Sequence, residues 1–428
     1  MSVSVTETSP KDWKYISEGG SSIVFSYVGP PHPSFNGTAL RLRKVNHEPT
    51  ESEILLLKDV EEPDDPTIIF QHRIIERLVP KEYLPVLESV KLHRPWLEDL
   101  AMLVEEHRPK ERRQADRIDI TKKKAVLATD LVGGKGLAVE IKPKWSFLPS
   151  SAHLSPNSVS IKTRTCRFCM HSHLKAGEGE DVSLGYCPLD LYSGEEERVK
   201  KALVALWDVW IGSSGSVNNL KVFVDGHILR PSTLPSSIAP LAQQILSSSE
   251  TEPTLDRVRD QFVAELLPLL LGTPVLETLS THQRKLDILD IEGLVALWQK
   301  AYSSPEYAQI PPYGTGLTQP TLTELEQFVT LYQTKHDTMD HTHPDPANLR
   351  YYIIAHLLSA TFKDCSIILR IHPGEGSDLP TKRIAVIDLD VKSVDRLGKW
   401  EKLDRKIVEN YATVRDPVIC VEPKAAQS

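Results

Sequence analysis

The sequence predicts an α+β protein with two lobes, on three observations. Near the N-terminus, two apolar stretches flank a Gly-Gly turn, and a third stretch with strand-like alternation follows. A flexible connector, Gly133-Gly134-Lys135-Gly136, separates two later strand patterns. Helical periodicity dominates the stretch 236–350. We therefore expect a smaller N-terminal lobe at 1–132 and a larger C-terminal lobe at 133–428, with a mostly helical insertion at about 236–350.

Composition indicates an ordinary globular chain and restricts its partners. The 428 residues carry 50 basic and 58 acidic side chains, a net charge of −8, which argues against broad binding to nucleic acid or membrane surfaces. No apolar run approaches the roughly 18 residues of a membrane span, and the first residues lack the pattern of a signal peptide. Five cysteines, an odd number, favour a reducing compartment. We expect a monomer inside the cell, in the nucleus or the cytoplasm.

The first elements are a hairpin and a basic strand. Residues 13–27 predict strand, turn and strand, and Gly19 and Gly20 in the turn permit positive φ and close approach of the backbone. Such a hairpin can cover the phosphates of a nucleotide, although a plain hairpin is the simpler interpretation. Residues 38–45 alternate apolar and basic side chains, so Arg41 lies on the exposed face of a half-buried strand. Hairpin followed by basic strand is typical of a kinase-like nucleotide lobe.

The rest of the N-terminal lobe is predicted as helix, loop and strand. Residues 82–107 predict a long helix, and the basic run at 107–114 is interpreted as a solvated loop. Residues 125–132 form an apolar run typical of a buried strand.

The stretch from Val139 to Lys144 is the first with strong functional character. Pro143 cannot donate a ladder hydrogen bond, so the strand through Val139 must end or reach a sheet edge there. Glu140, Lys142 and Lys144 are spaced by two, which places them on one face of an extended chain. The pattern fits a site for a multiply charged anion, and a solvated strand end is the alternative.

A second basic stretch lies on a predicted helix. Arg167, His171 and Lys175 follow one another at i, i+4 and i+8, so they form a cationic stripe on one helix face. Because like charges stacked in this way repel, an anionic group is expected to compensate them.

The same stretch permits a rival interpretation as a zinc site. Cys166 and Cys169 have the Cys-x-x-Cys spacing of zinc ligands, and His171, His173 and Cys187 could complete the set. The chain lacks a second Cys-x-x-Cys, so this interpretation is the weaker one.

The candidate reaction chemistry lies near the C-terminus. Residues 360–370 are predicted as a loop feeding a strand, and residues 383–392 as a second strand whose apolar run ends at Asp388. If the two strands pair as a hairpin, Asp364 before the first and Asp388 after the second share one site. Phosphoryl transfer needs such a pair, because one carboxylate accepts a hydroxyl proton and another holds Mg²⁺. A turn or helix cap is the alternative for Asp388.

Six motifs in this order resemble the inositol-pentakisphosphate 2-kinase family in a fungal-like form. The resemblance extends from about Tyr15 to Tyr411. The motifs are Glu140-Ile141-Lys142-Pro143-Lys144, Arg167-Phe168-Cys169-Met170-His171 with Lys175, Pro188-Leu189-Asp190-Leu191-Tyr192-Ser193-Gly194, Asn218-Asn219-Leu220-Lys221, Lys363-Asp364-Cys365-Ser366 and Ile387-Asp388-Leu389-Asp390-Val391-Lys392.

The resemblance implies a distant protein-kinase-like fold with a small nucleotide lobe and a larger inositide lobe. It implies transfer of the ATP γ-phosphate to the 2-hydroxyl of inositol 1,3,4,5,6-pentakisphosphate, giving inositol hexakisphosphate (phytate) and ADP. A non-catalytic inositide-binding scaffold is the alternative. ATP and Mg²⁺ are the implied cofactors.

The resemblance also implies a role for each matching residue. Asp364 is expected to act as the base, Asp388 to bind Mg²⁺, and Lys142 to face the transferred phosphate. The nucleotide is expected to contact Gly19, Gly20, Ser22, Arg41, Asp130, Leu131 and Glu140. The inositide phosphates are expected to contact Arg112, Lys144, Arg167, His171, Lys175, Asn218, Asn219, Lys221, Lys392 and Arg396.

The chain departs from the family pattern at several positions. Plant-type members carry a Cys/His zinc site in the large lobe, whereas residues 260–350 contain no cysteine here, which leaves structural zinc doubtful. Lys221 stands where arginine is frequent, and Ser22 replaces a usual asparagine in the Gly-rich loop. Trp400 occupies a position where tyrosine is expected, so it carries no assigned role.

Overall fold

The computed structural model describes residues 3–46, 61–246, 254–303, 309–371 and 384–423. Within these ranges the protein is α+β, as predicted, with two antiparallel sheets. Arg383, the first residue of the predicted last strand, lies outside the described residues. Within the described ranges, no single helix is long and apolar enough to cross a membrane; one bent pair, Leu255–Leu271 with Val275–Ala301 at 63°, passes that test by length and composition alone.

The first sheet is built from the N-terminal third of the chain. Its strands run in the order β1-β2-β3-β6-β4, and β5 pairs with β3 outside this path. They span β1 Trp13–Glu18, β2 Ser22–Tyr27, β3 Thr38–Val45, β4 Leu87–Lys91, β5 Arg117–Ile118 and β6 Lys124–Thr129. Alternation along β2 and β3 directs Phe25 and Leu40 to one face, where they pack with Leu127, Trp96 and Leu100 in one core, whereas β6 is buried on both faces.

Three helices accompany this sheet: α1 Pro66–Arg73, α2 Arg94–Val104 and α3 Lys110–Ala115. The prediction of one long helix over 82–107 is wrong, because that stretch contains β4 and only then α2. Leu87 and Val90 are buried against β6, and Pro95, at the first turn, allows a helix to begin only after the strand. The apolar spacing of the stretch suits both periods, and pairing with β6 decides between them.

Four of the sequence motifs have residues on the strands of the second sheet. Its order is β11-β10-β7-β8-β9, with every neighbouring pair antiparallel. The strands are β7 Leu137–Ile141, β8 Leu220–Val224, β9 His227–Ile228, β10 Ser366–Ile371 and β11 Ile384–Ile387. Strands β7 and β10 are buried along their whole length, which explains their continuous apolar runs.

Helices surround the second sheet. They are α4 Val159–Lys162, α5 Arg167–Gly177, α6 Pro188–Leu191, α7 Glu196–Gly212, α8 Ala239–Ile245, α9 Leu255–Leu271, α10 Val275–Leu286, α11 Asp290–Ala301, α12 Leu322–Lys335, α13 Leu349–Lys363 and α14 Leu397–Tyr411. The main core joins Trp210 on α7, Phe262 on α9, Leu279 on α10 and Phe362 on α13 to the apolar side chains of β7 and β10.

Two helices of the predicted helical insertion, α10 and α11, are separated by a short break. Helix α10 ends at Leu286 and α11 begins at Asp290, whose φ of 57° lies in the left-handed region. Asp287, in the break, is buried and forms ion pairs with His356 and Lys363 of α13. A buried carboxylate with two cationic partners supplies the reason for the chain to leave the helical path there.

The segment around α1 connects the two sheets. Phe70, Ile74 and Leu78 belong to the main core beside β7, although they lie between strands of the first sheet in sequence. Arg73 Nε also lies 2.5 Å from a carboxylate oxygen of Glu326 on α12. The first sheet is therefore held against the helices of the second by both apolar and charged contacts.

Candidate active site

Two aspartates lie at the same end of the second sheet. Ser366, the first residue of β10, is paired with Ile387, the last residue of β11. Asp364 comes just before β10 and Asp388 just after β11, so the antiparallel register brings them to one end. Asp388 has a φ of 61°, a left-handed conformation that is unusual for a non-glycine residue and is found most often at functional positions. The predicted hairpin relation of these strands is confirmed.

Three lysines hold the two carboxylates. Lys144 Nζ lies 3.2 Å and Lys392 Nζ 2.8 Å from the two carboxylate oxygens of Asp364. Lys142 Nζ lies 3.8 Å from Asp388 Oδ2. Burial by itself would raise the pKa of Asp364, but the ammonium groups of Lys144 and Lys392 outweigh it and lower that pKa to about 2. Asp364 is therefore an ionised acceptor near neutral pH.

The strand does not carry Lys142 and Lys144 onto one face by simple alternation. Strand β7 ends at Ile141, and Lys144 has a φ of 68°. The Lys-Pro-Lys turn nevertheless directs the two side chains to different carboxylates, Lys142 to Asp388 and Lys144 to Asp364.

A cavity of about 610 Å³ opens beside Asp364. Nine residues that the sequence singled out line it, and they come from five separate segments: Lys144, Arg167, His171, Lys175, Asn218, Asn219, Asp364, Lys392 and Arg396. Lys392 precedes the short helical turn that contains Arg396, so the two residues do not share one helix face, but both line the cavity. The cavity thus gathers cations that are far apart in sequence.

Helix α5 presents the cationic stripe to this cavity. Asp404 on α14 accepts a hydrogen bond from Arg167 Nε at 2.9 Å, and Glu180 pairs with Lys175 at 2.5 Å. These carboxylates are the compensation that the stacked like charges require. Burial, followed by the charges of Arg167 and Lys175, lowers the pKa of His171 to about 4, so the imidazole is uncharged near neutral pH.

The Asn-Asn-Leu-Lys motif supports the Lys-Pro-Lys turn. Asn219 is buried, and its Nδ2 donates to the Lys142 carbonyl at 3.0 Å while its Oδ1 accepts from Ser183 at 3.0 Å. Lys221 pairs with Glu140 at 3.0 Å and does not line the cavity. Glu140 also accepts a hydrogen bond from Ser366 Oγ at 2.9 Å. In this structure Lys221 and Glu140 pair with each other and do not line the cavity, whereas Asn218 and Asn219 both line it.

The predicted nucleotide loop is the turn between β1 and β2. Gly19 and Gly20 are exposed, and neither adopts the positive φ that the sequence permits. Gly19 N donates to Ser22 O at 2.9 Å, which closes the turn. Arg41 lies half-buried on β3, opposite Val24 of β2.

Asp130 and Leu131 form the connection between the sheets. Asp130 is buried, and its Oδ1 accepts from the backbone N–H groups of Val132 at 3.1 Å and Gly133 at 2.7 Å. Leu131 packs against Ile368 of β10 in the second sheet. Both residues therefore shape the crossing segment through their own contacts.

Arg112, another predicted inositide residue, belongs to the part of the chain that builds the first sheet. It is on α3 beside the first sheet, where its charge acts on Tyr15, and it does not line the cavity. A buried ion network lies next to it: Lys44 and Arg108 each pair with both Glu18 and Asp116. The sequence interpretation missed this network, because its members are scattered over 18–116 with no common motif.

Trp145 and Lys363 are cavity residues to which the sequence interpretation gave no role. Lys363 Nζ lies 3.9 Å from the centre of the Trp145 ring, and the Arg167 guanidinium lies 4.9 Å from it. An aromatic face between two cations offsets part of their repulsion. The sequence signal that could have identified them is their position beside predicted site residues, since Trp145 follows Lys144 and Lys363 precedes Asp364.

Four cysteines form a separate cluster at the N-terminus of α5. The sulfur atoms of Cys166, Cys169, Cys187 and Cys420 all lie within 4.8 Å of one another. Tetrahedral zinc with Zn–S bonds of about 2.3 Å requires sulfurs about 3.8 Å apart, so small adjustments would complete a four-thiolate site.

This ligand set differs from the one considered from sequence. His171 lines the cavity, His173 packs edge-on against the ring of Tyr411, and Cys420 supplies the fourth sulfur.

Comparison with known proteins agrees with these features. The model of the family described as inositol-pentakisphosphate 2-kinase matches residues 15–406. A protein named inositol-pentakisphosphate 2-kinase from Cryptococcus neoformans is 36% identical over 419 residues, which cover 94% of this chain and 93% of the relative. Proteins with that name from Oryza sativa subsp. japonica (29% identical, covering 96% of each chain) and Arabidopsis thaliana (27%, covering 96% of this chain and 95% of the relative) also match. The chain belongs to the inositol-pentakisphosphate 2-kinase family and is a kinase.

Proposed function

We propose that the protein transfers the γ-phosphoryl group of ATP to the 2-hydroxyl of inositol 1,3,4,5,6-pentakisphosphate, giving inositol hexakisphosphate and ADP. The observation that supports this most directly is the placement of Asp364, Asp388 and their lysines at the edge of a cavity lined by cations. A substrate with five phosphates needs such a local concentration of positive charge in a chain whose net charge is −8.

In the proposed step, Asp364 accepts the proton of the 2-hydroxyl while the oxygen of that hydroxyl forms a bond to the γ-phosphorus. The bond from that phosphorus to the bridging oxygen of ATP breaks, and ADP leaves. Asp388 would hold Mg²⁺, which when bound neutralises charge on the phosphates. Lys142, beside Asp388, is placed to stabilise the charge on the transferred group.

We propose a two-lobed, kinase-like arrangement for this reaction, with the nucleotide between the sheets and the inositide in the cavity. Gly19, Gly20, Ser22 and Arg41 would contact the nucleotide from the first sheet. The inositide phosphates would replace Asp404 and Glu180 as partners of Arg167 and Lys175, because both basic residues already line the cavity.

We also propose a monomer that acts inside the cell, in the nucleus or the cytoplasm, and does not need a membrane or a nucleic acid.

The test is incubation of the purified protein with ATP, Mg²⁺ and the pentakisphosphate, followed by separation of the inositol phosphates and measurement of ADP. Equal amounts of hexakisphosphate and ADP are expected. The alternative, a scaffold that only binds inositide, predicts tight binding of the pentakisphosphate without ATP consumption. The second result from a folded protein would refute the proposed activity.

We propose in addition that the four cysteines hold a structural Zn²⁺. Thiolates are the ligands that zinc prefers, and Cys166 is also the N-cap of α5, whose stripe lines the cavity. Zinc would therefore tie the segment around Cys420 to the start of the helix that binds inositide.

Metal analysis of the purified chain is expected to find one zinc per molecule, and Cys420→Ala is expected to lose it and to unfold at lower temperature. Cys365→Ala is the matched control, because Cys365 is buried and free but lies outside the cluster. Protein purified without chelator that contains no zinc, or a Cys420→Ala variant that retains it, would contradict the assignment.

A further inference from the structure

Gln283 on α10 is completely buried and lies outside the cavity, yet its amide connects the two segments that carry Lys144 and Asp364. Its Oε1 accepts a hydrogen bond from Ser146 N at 3.0 Å. Its Nε2 donates to the carbonyl oxygens of Lys144 at 3.1 Å and Phe362 at 3.0 Å. Nε2 also lies 3.2 Å from Tyr192 Oη, so the two N–H groups are shared among three acceptors and the amide has a polar partner on each side.

The bonds close a bridge between chain segments that are distant in sequence. One segment is the turn after β7, where Lys144 has a φ of 68°. The other is the end of α13, where Phe362 is followed by Lys363 and Asp364. Ser359 Oγ donates to the Gln283 backbone carbonyl at 2.8 Å, which secures α10 to α13 a turn before this point.

The consequence concerns one ion pair in the candidate active site. Lys144 Nζ lies 3.2 Å from Asp364 Oδ1, and each residue sits within two positions of a group that Gln283 holds. Without the amide, the left-handed turn at Lys144 loses a carbonyl partner that keeps it in an unfavourable conformation. The turn then keeps the hydrogen bonds that Asn219 and Tyr186 donate to the carbonyls of Lys142 and Pro143, but it loses the hydrogen-bonded link between Lys144 and the Asp364 segment.

We propose that Gln283 is a positioning residue for phosphoryl transfer, which fixes the Lys144 turn against the Asp364 segment through its side-chain amide. The proposal rests on the proposed function for its effect on rate, but not for its effect on geometry. A displacement of about 1 Å at reacting groups costs on the order of 10²-fold in rate. Gln283 itself touches neither substrate nor the cavity, so it acts through the two segments.

The main test is Gln283→Met, which keeps the length and volume of the side chain but removes every hydrogen bond of its amide, including the contact with Tyr192. We expect kcat to fall by about 10- to 100-fold, with the KM for ATP changed less than about threefold. Gln71→Leu is the matched control. Gln71 is a buried glutamine on α1 whose Nε2 donates to the Pro85 carbonyl at 2.7 Å, far from the cavity. It is expected to lower thermal stability while leaving kcat unchanged.

A readout that does not need turnover separates this proposal from the proposed activity. In a crystal structure of Gln283→Met, the separation of Lys144 Nζ and Asp364 is expected to exceed 3.2 Å. An unchanged kcat, an unchanged separation, or an equal loss of kcat in Gln71→Leu would overturn the proposal. Gln283→Asn, which keeps the amide on a shorter stem, is the second variant, and we expect an intermediate kcat from it. If neither variant folds, Gln283 serves folding and the proposal fails. A wild-type protein without turnover refutes only the proposed activity.

Discussion

The Asp364→Asn variant is expected to lower kcat by about 10²- to 10⁴-fold while it still folds and binds inositide. Asparagine has nearly the same shape but cannot accept the proton of the 2-hydroxyl. The substitution also frees Lys144 and Lys392, which lie 3.2 Å and 2.8 Å from this carboxylate in the free protein. Both lysines then gain unopposed charge for phosphate, so the affinity for the pentakisphosphate is expected to stay equal or increase.

Steady-state measurement of hexakisphosphate formation gives kcat, single-turnover measurement isolates the chemical step, and calorimetric titration gives the inositide affinity. Asp395→Asn is the matched control, because Asp395 is exposed nearby and does not line the cavity. The pH dependence provides a second check. Since the pKa of Asp364 is lowered to about 2, the base stays ionised, and the wild-type rate is expected to show no acid-side loss near the ordinary value of 3.8. Turnover by Asp364→Asn at the control's rate would remove Asp364 from the mechanism.

Local sequence patterns were sufficient to predict those candidate site residues that lie next to the end of a strand. Pro143 marked the end of β7, and the last apolar residue before Asp388 marked the end of β11. In a pair of neighbouring antiparallel strands, the start of one strand lies beside the end of the other. The strand patterns of β10 and β11 therefore predict that Asp364 and Asp388 lie at the same end of the sheet. The stripe on α5 was equally accessible, since its residues share one helical period.

Features that depend on distant pairing were not predictable in this way. The stretch containing β4 has an apolar spacing that suits a helix, and only its pairing with β6 makes it a strand. Cys420 lies 254 positions after Cys166, and no spacing rule connects them. Gln283 is one glutamine on a helix with an ordinary apolar face, so its bridge becomes visible only when the segments at Lys144 and Phe362 meet it.

The Asp388→Asn variant is expected to need at least about tenfold more Mg²⁺ for half-maximal activity and to lose about 10³-fold in kcat at limiting Mg²⁺. The carboxylate of Asp388 is 41% exposed, and its one cationic neighbour in the described chain, Lys142, lies at a loose 3.8 Å. This leaves its oxygens available for a hard cation, in contrast to the tightly paired Asp364. An amide offers one neutral oxygen in place of a charged pair, so Mg²⁺ is held more weakly.

Titration of Mg²⁺ at saturating ATP and pentakisphosphate measures the effect, and raising Mg²⁺ is expected to restore part of the lost rate. The same titration of Asp364→Asn separates the two roles, because loss of a base lowers the plateau without moving the Mg²⁺ midpoint. The two aspartates lie at one end of a hairpin but face different neighbours, since Asp364 lines the cavity and Asp388 does not. If both variants gave the same Mg²⁺ midpoint as the Asp395→Asn control, the division of labour between proton and metal would be wrong.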